Sequence, residues 1–562
     1  MMRLSSPITQ LAYRYDVVVV GSGYGASITA ARLARAGLSV CVLERGREWQ
    51  PGEFPTDEVS LAKAVRTSLT PLGLIDANVQ SKNDLDVVVG SGLGGTSLIN
   101  AGISLRPEPG VFFEPEWPAA IKADVESGEM ARWFSRAEEM LGAHRHDGLL
   151  DEWKVKTHRE LVEARGVKHG LMNLNVSRHE HERHGVKLAP CTHCGDCVAG
   201  CNVGAKNTLA TNYLPLARHH GAKIFTGVEV RSVAPNENGW ELALRFSSGR
   251  EGTVVARTCV LGAGSMGSTE ILLRSQRAGL PLGTQVGAKF SGNADIMAMS
   301  YAGKTRTNVL GFGTRSEGFT VGTTISSYGD FRRGPFKGGA ALQERFLLLQ
   351  GAIPSPLRTL VARAFGAWGY ASADSRQRSL IEADVKDGAG PDGALNHSML
   401  LLACGHDSGT GRLVLDDDDE RVHVAWKGVG DERCFAAITD EMMALAQAHG
   451  GMFAPNPRST LLGGSRQMTV HPLGGLPMGD DADQGAVDHL GRVFDGQGRI
   501  HLGLHVVDGA IVPRSLGVTP LLTISALAER IAEAMLRLRP ASLAVRPKRV
   551  RYASQSKSQS KS

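Results

Sequence analysis

A glycine-rich turn between a buried strand and a helix most constrains what this chain can fold into. A short apolar run rich in β-branched residues follows Tyr15 and is typical of a strand buried on both faces. After the turn comes a run of helical composition, and then a second apolar strand that ends in Glu44. The turn itself carries Gly21, Gly23 and Gly25. This order of elements is that of a βαβ unit that binds a dinucleotide.

Each part of this unit has a physical task. The glycines let the backbone approach a pyrophosphate, whose charge lies at the positive end of the helix. Glu44 stands where a carboxylate accepts hydrogen bonds from both hydroxyls of a ribose, which favours FAD or NAD over a phosphorylated dinucleotide. Ala26 occupies the position of the third glycine of the usual fingerprint, a permitted variant. The sequence therefore predicts nucleotide binding at residues 15–46.

Two further stretches repeat the pattern of a strand followed by glycines. Residues 86–100 (DVVVGSGLGGTSLIN) read as a strand that runs into a loop with four glycines between positions 90 and 95. Residues 253–275 read as a strand, a Gly-Ala-Gly turn and a helix. Two glycine-rich loops in one chain predict a ligand that is held from two sides, and we expect the third crossover in the same nucleotide domain.

Length and composition limit the class of protein. With 562 residues the chain is too long for one simple core, and two closely joined domains are expected. Hydrophobic residues at 42% and charged residues at 21% are typical of a soluble globular enzyme. A net charge of +5 is too small to indicate nucleic acid as a partner. The N-terminal residues show no export signal, so a cytoplasmic location is expected.

The sequence pattern changes in residues 293–465, where short segments of alternating apolar and polar residues are separated by long loops. This pattern predicts an antiparallel sheet domain. Within it, Ser355 and Pro356 open a predicted helix that Gly366 closes. One face of this helix is apolar. Two interpretations stay open: the helix packs on the core, or it is a lid whose apolar face meets a lipid-like substrate or, peripherally, a membrane surface.

Four of the eight cysteines are concentrated in one short stretch, as Cys191, Cys194, Cys197 and Cys201. Their spacing, C-x2-C-x2-C-x3-C, is that of bacterial ferredoxins, although Asn202 replaces the usual proline. Zinc sites usually separate their cysteine pairs by a dozen or more residues. Three interpretations stay open: a 4Fe-4S or 3Fe-4S cluster, reduced structural thiols, and a zinc site or disulfides.

Six stretches of the chain together resemble the glucose–methanol–choline (GMC) family of FAD oxidoreductases, and most closely its bacterial cholesterol-oxidase branch. They are GSGYGASITAARLARAG, VVVGSGLGGTSLINAGI, VLGAGSMGSTEILLRS, VGAKFSGNADIM, TVHPLGG and VVDGAIVPRSLGVTPLLTISALAER. These stretches run from about residue 15 to about residue 535 in the family's order.

The resemblance implies an α/β fold in which a discontinuous, doubly wound FAD-binding domain of Rossmann type carries a substrate domain built on an antiparallel sheet. The expected boundaries are residues 11–110, 205–292 and 466–540 for the FAD-binding domain and 293–465 for the substrate domain. Residues 111–204 are expected to form a helical insertion with the cysteine cluster. Residues 541–562 are expected to be a basic, disordered tail.

The resemblance also implies roles for individual residues. Gly21, Gly23, Tyr24, Gly25 and Glu44 match the unit that binds the ADP part of FAD. Gly95, Thr96 and Asn100 match the loop beside the flavin ring, Val230 matches the adenine contact, and Asp508 with Gly509 match the loop near the ribityl chain.

Alcohol oxidation needs a base close to the flavin, because a hydroxyl proton leaves while a hydride passes to flavin N5. His471 matches the family's histidine, and Thr519 in GVTP stands where the branch has an asparagine. Gln350 stands where cholesterol oxidases carry the glutamate that moves the double bond, which implies oxidation without isomerisation.

The resulting hypothesis is an FAD-dependent oxidoreductase that acts on the CH–OH group of a bulky, hydrophobic, sterol-like alcohol. Electrons from the flavin are expected to go to oxygen or to another electron acceptor, a protein or a dye. The alternatives are a GMC dehydrogenase for a long-chain alcohol or a glycoside, with electrons passing through an iron–sulfur cluster, and a flavin redox sensor without alcohol turnover.

Overall fold

The computed structural model describes residues 3–313, 320–332, 341–387, 389–418, 421–455 and 467–538. Within these ranges the helices are α1 (Tyr24–Arg35), α2 (Glu58–Ala64), α3 (Ala119–Glu126), α4 (Glu129–Leu141), α5 (Trp153–Ala164), α6 (Tyr213–His219), α7 (Gly264–Arg277), α8 (Arg358–Gly369), α9 (Ser375–Asp387), α10 (Arg433–His449) and α11 (Leu521–Arg537). The predicted tail at 541–562 lies outside the described residues.

The strands of the N-terminal half are β1 (Arg14–Val20), β2 (Val40–Glu44), β3 (Ile75–Asn78), β4 (Leu85–Gly90), β5 (Ile103–Ser104), β6 (His144–Arg145), β7 (Lys168–Leu171), β8 (Asn173–Leu174), β9 (His181–Arg183), β10 (Val186–Leu188), β11 (Lys223–Thr226), β12 (Val228–Asn236), β13 (Gly239–Phe246) and β14 (Glu251–Leu261). Those of the C-terminal half are β15 (Ile296–Tyr301), β16 (Ser327–Asp330), β17 (Leu347–Gly351), β18 (Met399–Cys404), β19 (Arg412–Leu415), β20 (Val422–Ala425), β21 (Met452–Pro455), β22 (Gln467–Thr469), β23 (Arg492–Phe494) and β24 (Ile500–Val506).

The largest sheet is built on the predicted βαβ unit. Its order is β11-β2-β1-β14-β13-β12, with β24 added beside β14 and β23 beside β24. The pairs β1–β2, β1–β14, β2–β11 and β14–β24 are parallel. The central strands are buried on both faces, as their continuous apolar sequences predict. The doubly wound nucleotide-binding fold expected from the sequence is therefore confirmed.

A second sheet is antiparallel and has the order β21-β15-β18-β17-β16-β7. It agrees with the expected fold class, in which the substrate domain is built on an antiparallel sheet, while the boundaries at residues 293–465 stay a prediction. Its edge strand β7, however, comes from the stretch expected to be the insertion. Residue spacing within the insertion could not reveal this pairing, because β7 and β16 are far apart in the chain.

A small three-stranded sheet of order β22-β4-β3 joins distant parts of the chain. β22 runs parallel to β4, with Thr469 opposite Val87. The chain leaves β22 two residues before His471, while β4 leads into the second glycine-rich loop. This sheet therefore brings His471 beside that loop.

The helix predicted to begin at Ser355 starts later. Ser355–Leu357 is a 3-10 turn and α8 begins at Arg358, because the Ser355 hydroxyl and backbone N–H both bind the Asp196 carboxylate instead of capping a helix. On α8, Val361 and Phe365 are buried while Leu360 is 47% exposed. Both interpretations of this helix therefore keep some support. None of the described helices combines the length and the apolar sequence needed to span a membrane.

Candidate active site

The first glycine-rich turn presents an open helix N-terminus to a deep cavity. Gly21 follows β1 with a φ of 87°, a left-handed conformation that favours glycine. α1 begins at Tyr24, and its N-cap, Gly23, provides no side-chain hydrogen bond to the free N–H groups. Gly21 and Gly23 both line the cavity. Unpaired N–H groups at the positive end of a helix form an anion site that suits a pyrophosphate.

Close packing explains the next two positions. A Cβ built on Gly25 would lie 1.8 Å from the carbonyl oxygen of Val507, so α1 can approach β24 only with glycine at this point. At the position of the third glycine, the methyl group of Ala26 packs against Gly262. Because residue 262 has no side chain, the methyl group of Ala26 fits against its backbone. Ala26 does not line the cavity and contributes through this packing.

Glu44, at the end of β2, is buried and faces the same cavity. Its Oε1 accepts a hydrogen bond from the backbone N–H of Gly46 at 2.8 Å, and its Oε2 accepts one from the Ser22 hydroxyl. Burial raises the pKa of the Glu44 carboxyl. Each oxygen retains a further lone pair that a ribose hydroxyl could use.

The second glycine-rich loop packs directly on the first. A Cβ on Gly95 would lie 3.0 Å from the Cα of Gly23, so the two loops touch backbone to backbone. The Asn100 amide donates a hydrogen bond of 2.7 Å to the Tyr24 hydroxyl, and Thr96 Oγ1 accepts one from the N–H of Gly90. The predicted hold on a ligand from two sides is consistent with this contact.

Asp508 joins the end of β24 to the start of α7. Its carboxylate accepts hydrogen bonds from the N–H groups of Gly264 and Ala510 and from the Ser268 hydroxyl. Burial raises the pKa of this carboxyl, and the three donors oppose the rise. Asp508 and Gly509 both line the cavity, and Val230 lines it from β12.

The cavity has a volume of about 620 Å³, within the range of pockets that hold cofactors. The residues present fit FAD: an open helix N-terminus, two glycine loops without side chains, and a buried carboxylate lie along one continuous cavity. All the predicted cofactor-binding residues except Ala26 line it.

His471 lines the same cavity and is held by a buried carboxylate. Its Nδ1 lies 2.9 Å from Oδ1 of Asp295, whose side chain is 1% exposed, while the imidazole is 15% exposed. Asp295 Oδ2 also accepts hydrogen bonds from the Thr469 hydroxyl and the Val470 N–H. With Nδ1 donating to the carboxylate, Nε2 is left without a partner among the described residues and can accept a proton.

Two further residues, Cys404 and Thr519, are relevant to the chemistry of His471. The Cys404 thiol lies 3.8 Å from Nδ1 of His471, and burial raises the pKa of that thiol well above its usual range. Thr519 also lines the cavity, and its Oγ1 is buried without a hydrogen-bond partner in the described part of the chain. A buried hydroxyl without a partner is costly, which marks it as a candidate contact for a bound molecule.

The chain matches the GMC oxidoreductase family models, with the N-terminal model over residues 15–290 and the C-terminal model over residues 415–528. Together these models match more than half of the chain. The chain belongs to the GMC oxidoreductase family. Members of this family bind FAD and oxidise alcohols, so this protein is an oxidoreductase of that kind.

Individual relatives are distant. A cholesterol oxidase of Acinetobacter baumannii is 26% identical over 566 residues, with 92% of this chain and 94% of the relative covered. A long-chain-alcohol oxidase of Arabidopsis thaliana is also 26% identical, with 92% of this chain and 66% of the relative covered. The crystal structure of a pyridoxine 4-oxidase from Mesorbium loti superposes with a TM-score of 0.61 at 17% identity, over 94% of this chain and all of that one, which shows the GMC fold.

The substrate side of this GMC cavity is apolar. The described residues of the antiparallel sheet and its loops contribute no charged side chain to the lining. Their larger side chains are Met297, Ile325, Pro356, Leu357, Leu400 and Leu402. Gln350 is not part of the lining, although its neighbour Gly351 is, and the Gln350 amide is buried without a hydrogen-bond partner among the described residues.

The four clustered cysteines lie outside this cavity. Together with Lys206 they line a second, smaller cavity. Burial lowers the pKa of the Lys206 ammonium to about 8. Sequence reasoning missed both Lys206 and Asp295 as candidate site residues. Asp295 lies within the matched stretch VGAKFSGNADIM, and that was the available signal.

Proposed function

We propose that this GMC oxidoreductase oxidises the CH–OH group of a bulky, hydrophobic alcohol to a ketone or aldehyde, with His471 as the base. The observation that carries the proposal is a contrast within the lining of one cavity. His471, held by a buried carboxylate, lines it, and the side chains that the antiparallel sheet and its loops add to the lining are mainly apolar. A sterol-like alcohol has this distribution of polarity, with one hydroxyl on a large apolar body.

The residues around His471 suit removal of a hydroxyl proton. Asp295 accepts the Nδ1 hydrogen bond, which fixes the tautomer whose Nε2 is free to take the proton. The same carboxylate stabilises the imidazolium that results, since opposite charges lie within 3 Å. FAD, when bound, supplies the acceptor for the hydride that leaves the carbinol carbon. Thr519 would bind the substrate oxygen in place of the asparagine of the cholesterol-oxidase branch.

Two rival functions remain. A glycoside substrate would place several hydroxyls against Met297, Leu400 and Leu402, which offer no hydrogen bonds, so a long-chain alcohol is the stronger alternative. A flavin redox sensor would not need the paired His471 and Asp295.

Gln350 does not line the cavity, which supports oxidation without movement of a double bond.

Exposed apolar side chains next to the cavity lining also support an apolar substrate. Leu61 and Val65 line the cavity from α2 and the residue after it, while Val59 on the same helix is 66% exposed. Leu357 lines it from the turn before α8, whose Leu360 is 47% exposed. We propose that these two segments receive the alcohol, with a peripheral contact to a lipid surface as the source.

The test is anaerobic reduction of the bound flavin by a panel of alcohols. A sterol, a long-chain primary alcohol and a glycoside are mixed in turn with the holoprotein, and loss of the yellow absorption is followed. Bleaching by the sterol or the long-chain alcohol, and not by the glycoside, is expected. Bleaching by none of a broad panel would favour the sensor, and bleaching by the glycoside alone would overturn the apolar substrate.

A variant pair sharpens the substrate assignment. Leu402→Gln puts an amide into the apolar lining, whereas Leu402→Met keeps its volume and polarity. We expect Leu402→Gln to lower kcat/KM for the best apolar alcohol by about tenfold or more, and Leu402→Met to change it little. Equal values for the two variants would mean that the substrate does not occupy this part of the cavity.

A further inference from the structure

The second cavity is formed where one short loop gathers four thiols. Cys191, Cys194, Cys197 and Cys201 all line it, together with the buried Lys206. We propose that these cysteines ligate an iron–sulfur cluster that takes electrons one at a time from the reduced flavin. The electron source rests on the alcohol oxidation proposed above, whereas the metal site stands on the residues of the second cavity.

Backbone turns with left-handed φ values, which favour glycine, bring the four thiols into one loop. Gly195 and Gly200 have φ values of 83° and 102°, and a Cβ on Gly200 would lie 2.1 Å from the ring of Phe54. His193 has a φ of 56°, which is uncommon for a residue other than glycine. Its backbone N–H donates a hydrogen bond of 3.4 Å to the Cys191 Sγ. Backbone N–H donors to the cysteine sulfurs are one of the means by which proteins tune iron–sulfur clusters.

Lys206 provides a charge that a cluster would balance. Its ammonium is buried and donates to three carbonyl oxygens, those of Leu98, Asn100 and Cys197. Among the described residues, the ionisable groups that act on its charge are Cys197 and Cys201, and no carboxylate is among them. A buried ammonium without a counter-charge is costly. Four thiolates around an iron–sulfur core carry net negative charge and would supply that counter-charge.

The competing interpretations of the cysteines fit the geometry less well. All eight cysteines are free, so no disulfide joins any two of the four. A zinc tetrahedron needs its sulfurs about 3.8 Å apart, from Zn–S bonds of ~2.3 Å. The one set of three metal-binding side chains that lies within 4.8 Å in the described structure is Asp295, Cys404 and His471. No three of the four cysteine sulfurs therefore lie that close together.

The cavity itself is small, at about 20 Å³. The thiols must therefore move apart as a cluster core forms between them. The convergence of the four cysteines, their spacing in the sequence and the nearby Lys206 ammonium point to the cluster.

A single turn separates the second cavity from the first. Cys197–Ala199 is a 3-10 turn in which Cys197 lines the second cavity while Val198 and Ala199 line the first. Lys206 bonds both to the carbonyl of Cys197 and to that of Asn100 in the loop predicted to lie beside the flavin ring. A cluster at the cysteines would thus lie next to the flavin end of the cofactor cavity.

The electron balance needs one external oxidant. Oxidation of one alcohol leaves two electrons on the cofactor. One electron passes to the cluster, reduces its iron core, and is then removed by a one-electron acceptor such as a ferricenium dye before the second follows. The protons of the oxidation go to solvent, no covalent bond forms between cofactor and cluster, and two dye molecules are reduced for each alcohol.

The experiment measures metal directly on the full chain. The protein is purified anaerobically, reconstituted with ferrous iron and sulfide, and desalted, and iron, sulfide, zinc and FAD are counted per chain. We expect about three or four irons with matching sulfide, and a low-temperature electron paramagnetic resonance signal of a cluster in the oxidised or the dithionite-reduced protein. Cys194→Ser should lose that signal and most of the iron. Cys434→Ser, which changes a buried cysteine on α10 outside both cavities, should keep them.

A second measurement follows the electrons. With Cys194→Ser we expect at least a tenfold slower reduction of the ferricenium dye at an unchanged rate of flavin bleaching by alcohol. Stoichiometric FAD with less than half an iron per chain would overturn the inference, as would one zinc per chain or two disulfides among the four cysteines. Equal iron in Cys194→Ser and Cys434→Ser would also overturn it. Failure of every alcohol to bleach the flavin would instead refute the proposed function, since the metal count does not depend on turnover.

Discussion

The Nδ1 atom of His471 lies 2.9 Å from Oδ1 of Asp295, although the two residues are 176 positions apart in the chain. Asp295 precedes β15 of the antiparallel sheet, whereas His471 follows β22 of the small sheet. Asn293 and Ala294, just before Asp295, have φ values of 56° and 45°, and such strained conformations occur preferentially at functional sites. The contact therefore depends on how these two sheets are placed against each other.

Replacement of the carboxylate tests this contact. In Asp295→Asn we expect kcat to fall by about 10- to 1000-fold with FAD retained, because the neutral amide neither fixes the imidazole tautomer nor stabilises the imidazolium. FAD content and the thermal midpoint should stay at the wild-type values, because the substitution keeps the size of the side chain. Cys404→Ala is the control, because the neutral thiol contacts the same ring nitrogen. A kcat of Asp295→Asn equal to that of the wild type or of Cys404→Ala would remove Asp295 from this role.

The histidine itself has a separate test. His471→Asn should keep FAD and the fold but lower the rate of anaerobic flavin bleaching by on the order of 10²–10⁴ with the best alcohol. Raising the pH should recover part of the lost rate, since a more basic solution replaces the missing base. Bleaching at the wild-type rate would show that His471 takes no proton.

Local sequence patterns were enough to predict the nucleotide unit, because its glycines, its helix start and Glu44 act over about thirty residues along the chain. Pairings between distant segments could not be predicted in this way. Lys206 reaches the carbonyls of Leu98 and Asn100 only because the segment that follows the four cysteines folds against the second glycine loop. The same limitation applies to Gly262, which directly follows β14. It leaves room for the methyl group of Ala26, although the two residues are more than two hundred positions apart.

The packing of α1 gives a matched pair of glycine variants. Gly25→Ala should abolish FAD retention and lower the yield of folded protein, because the added Cβ would lie 1.8 Å from the Val507 carbonyl oxygen. Gly110→Ala should leave both unchanged, since nothing lies within 4 Å of a Cβ at that position. The measurement is the ratio of flavin to protein absorbance after gel filtration. Full FAD occupancy in Gly25→Ala would contradict the close approach of α1 and β24.

A buried carboxyl in the substrate domain should make stability depend on pH. Burial raises the pKa of Asp384, on α9, from 3.8 to about 7. The folded state then holds a proton that the unfolded state releases between about pH 4 and pH 7, so the contribution of this group to stability falls as pH rises through that window.

Asp384→Asn removes the charge that forms above this window. We expect the variant to raise the thermal midpoint of the holoprotein at pH 8 by an amount equivalent to at least about 1 kcal/mol, and to raise it by a clearly smaller amount at pH 5, where only part of the window has been crossed. Asp392→Asn is the control, because its side chain is 81% exposed. A gain for Asp384→Asn that is equal at pH 5 and pH 8 would show that the carboxyl does not titrate in this window.

Thr519 offers the sharpest test of substrate contact, because its Oγ1 has no hydrogen-bond partner among the described residues. Replacement of a buried hydroxyl that makes no hydrogen bond by a methyl group of similar shape should not lower stability. Any loss of activity in Thr519→Val therefore reports on the bound alcohol and not on the fold. We expect kcat/KM to fall about tenfold, the value of one hydrogen bond of roughly 1.4 kcal/mol, with an unchanged thermal midpoint. Thr519→Ser, which keeps the hydroxyl, should retain most of the activity. If Thr519→Val is as active as the wild type, the alcohol oxygen is bound by His471 without help from this position.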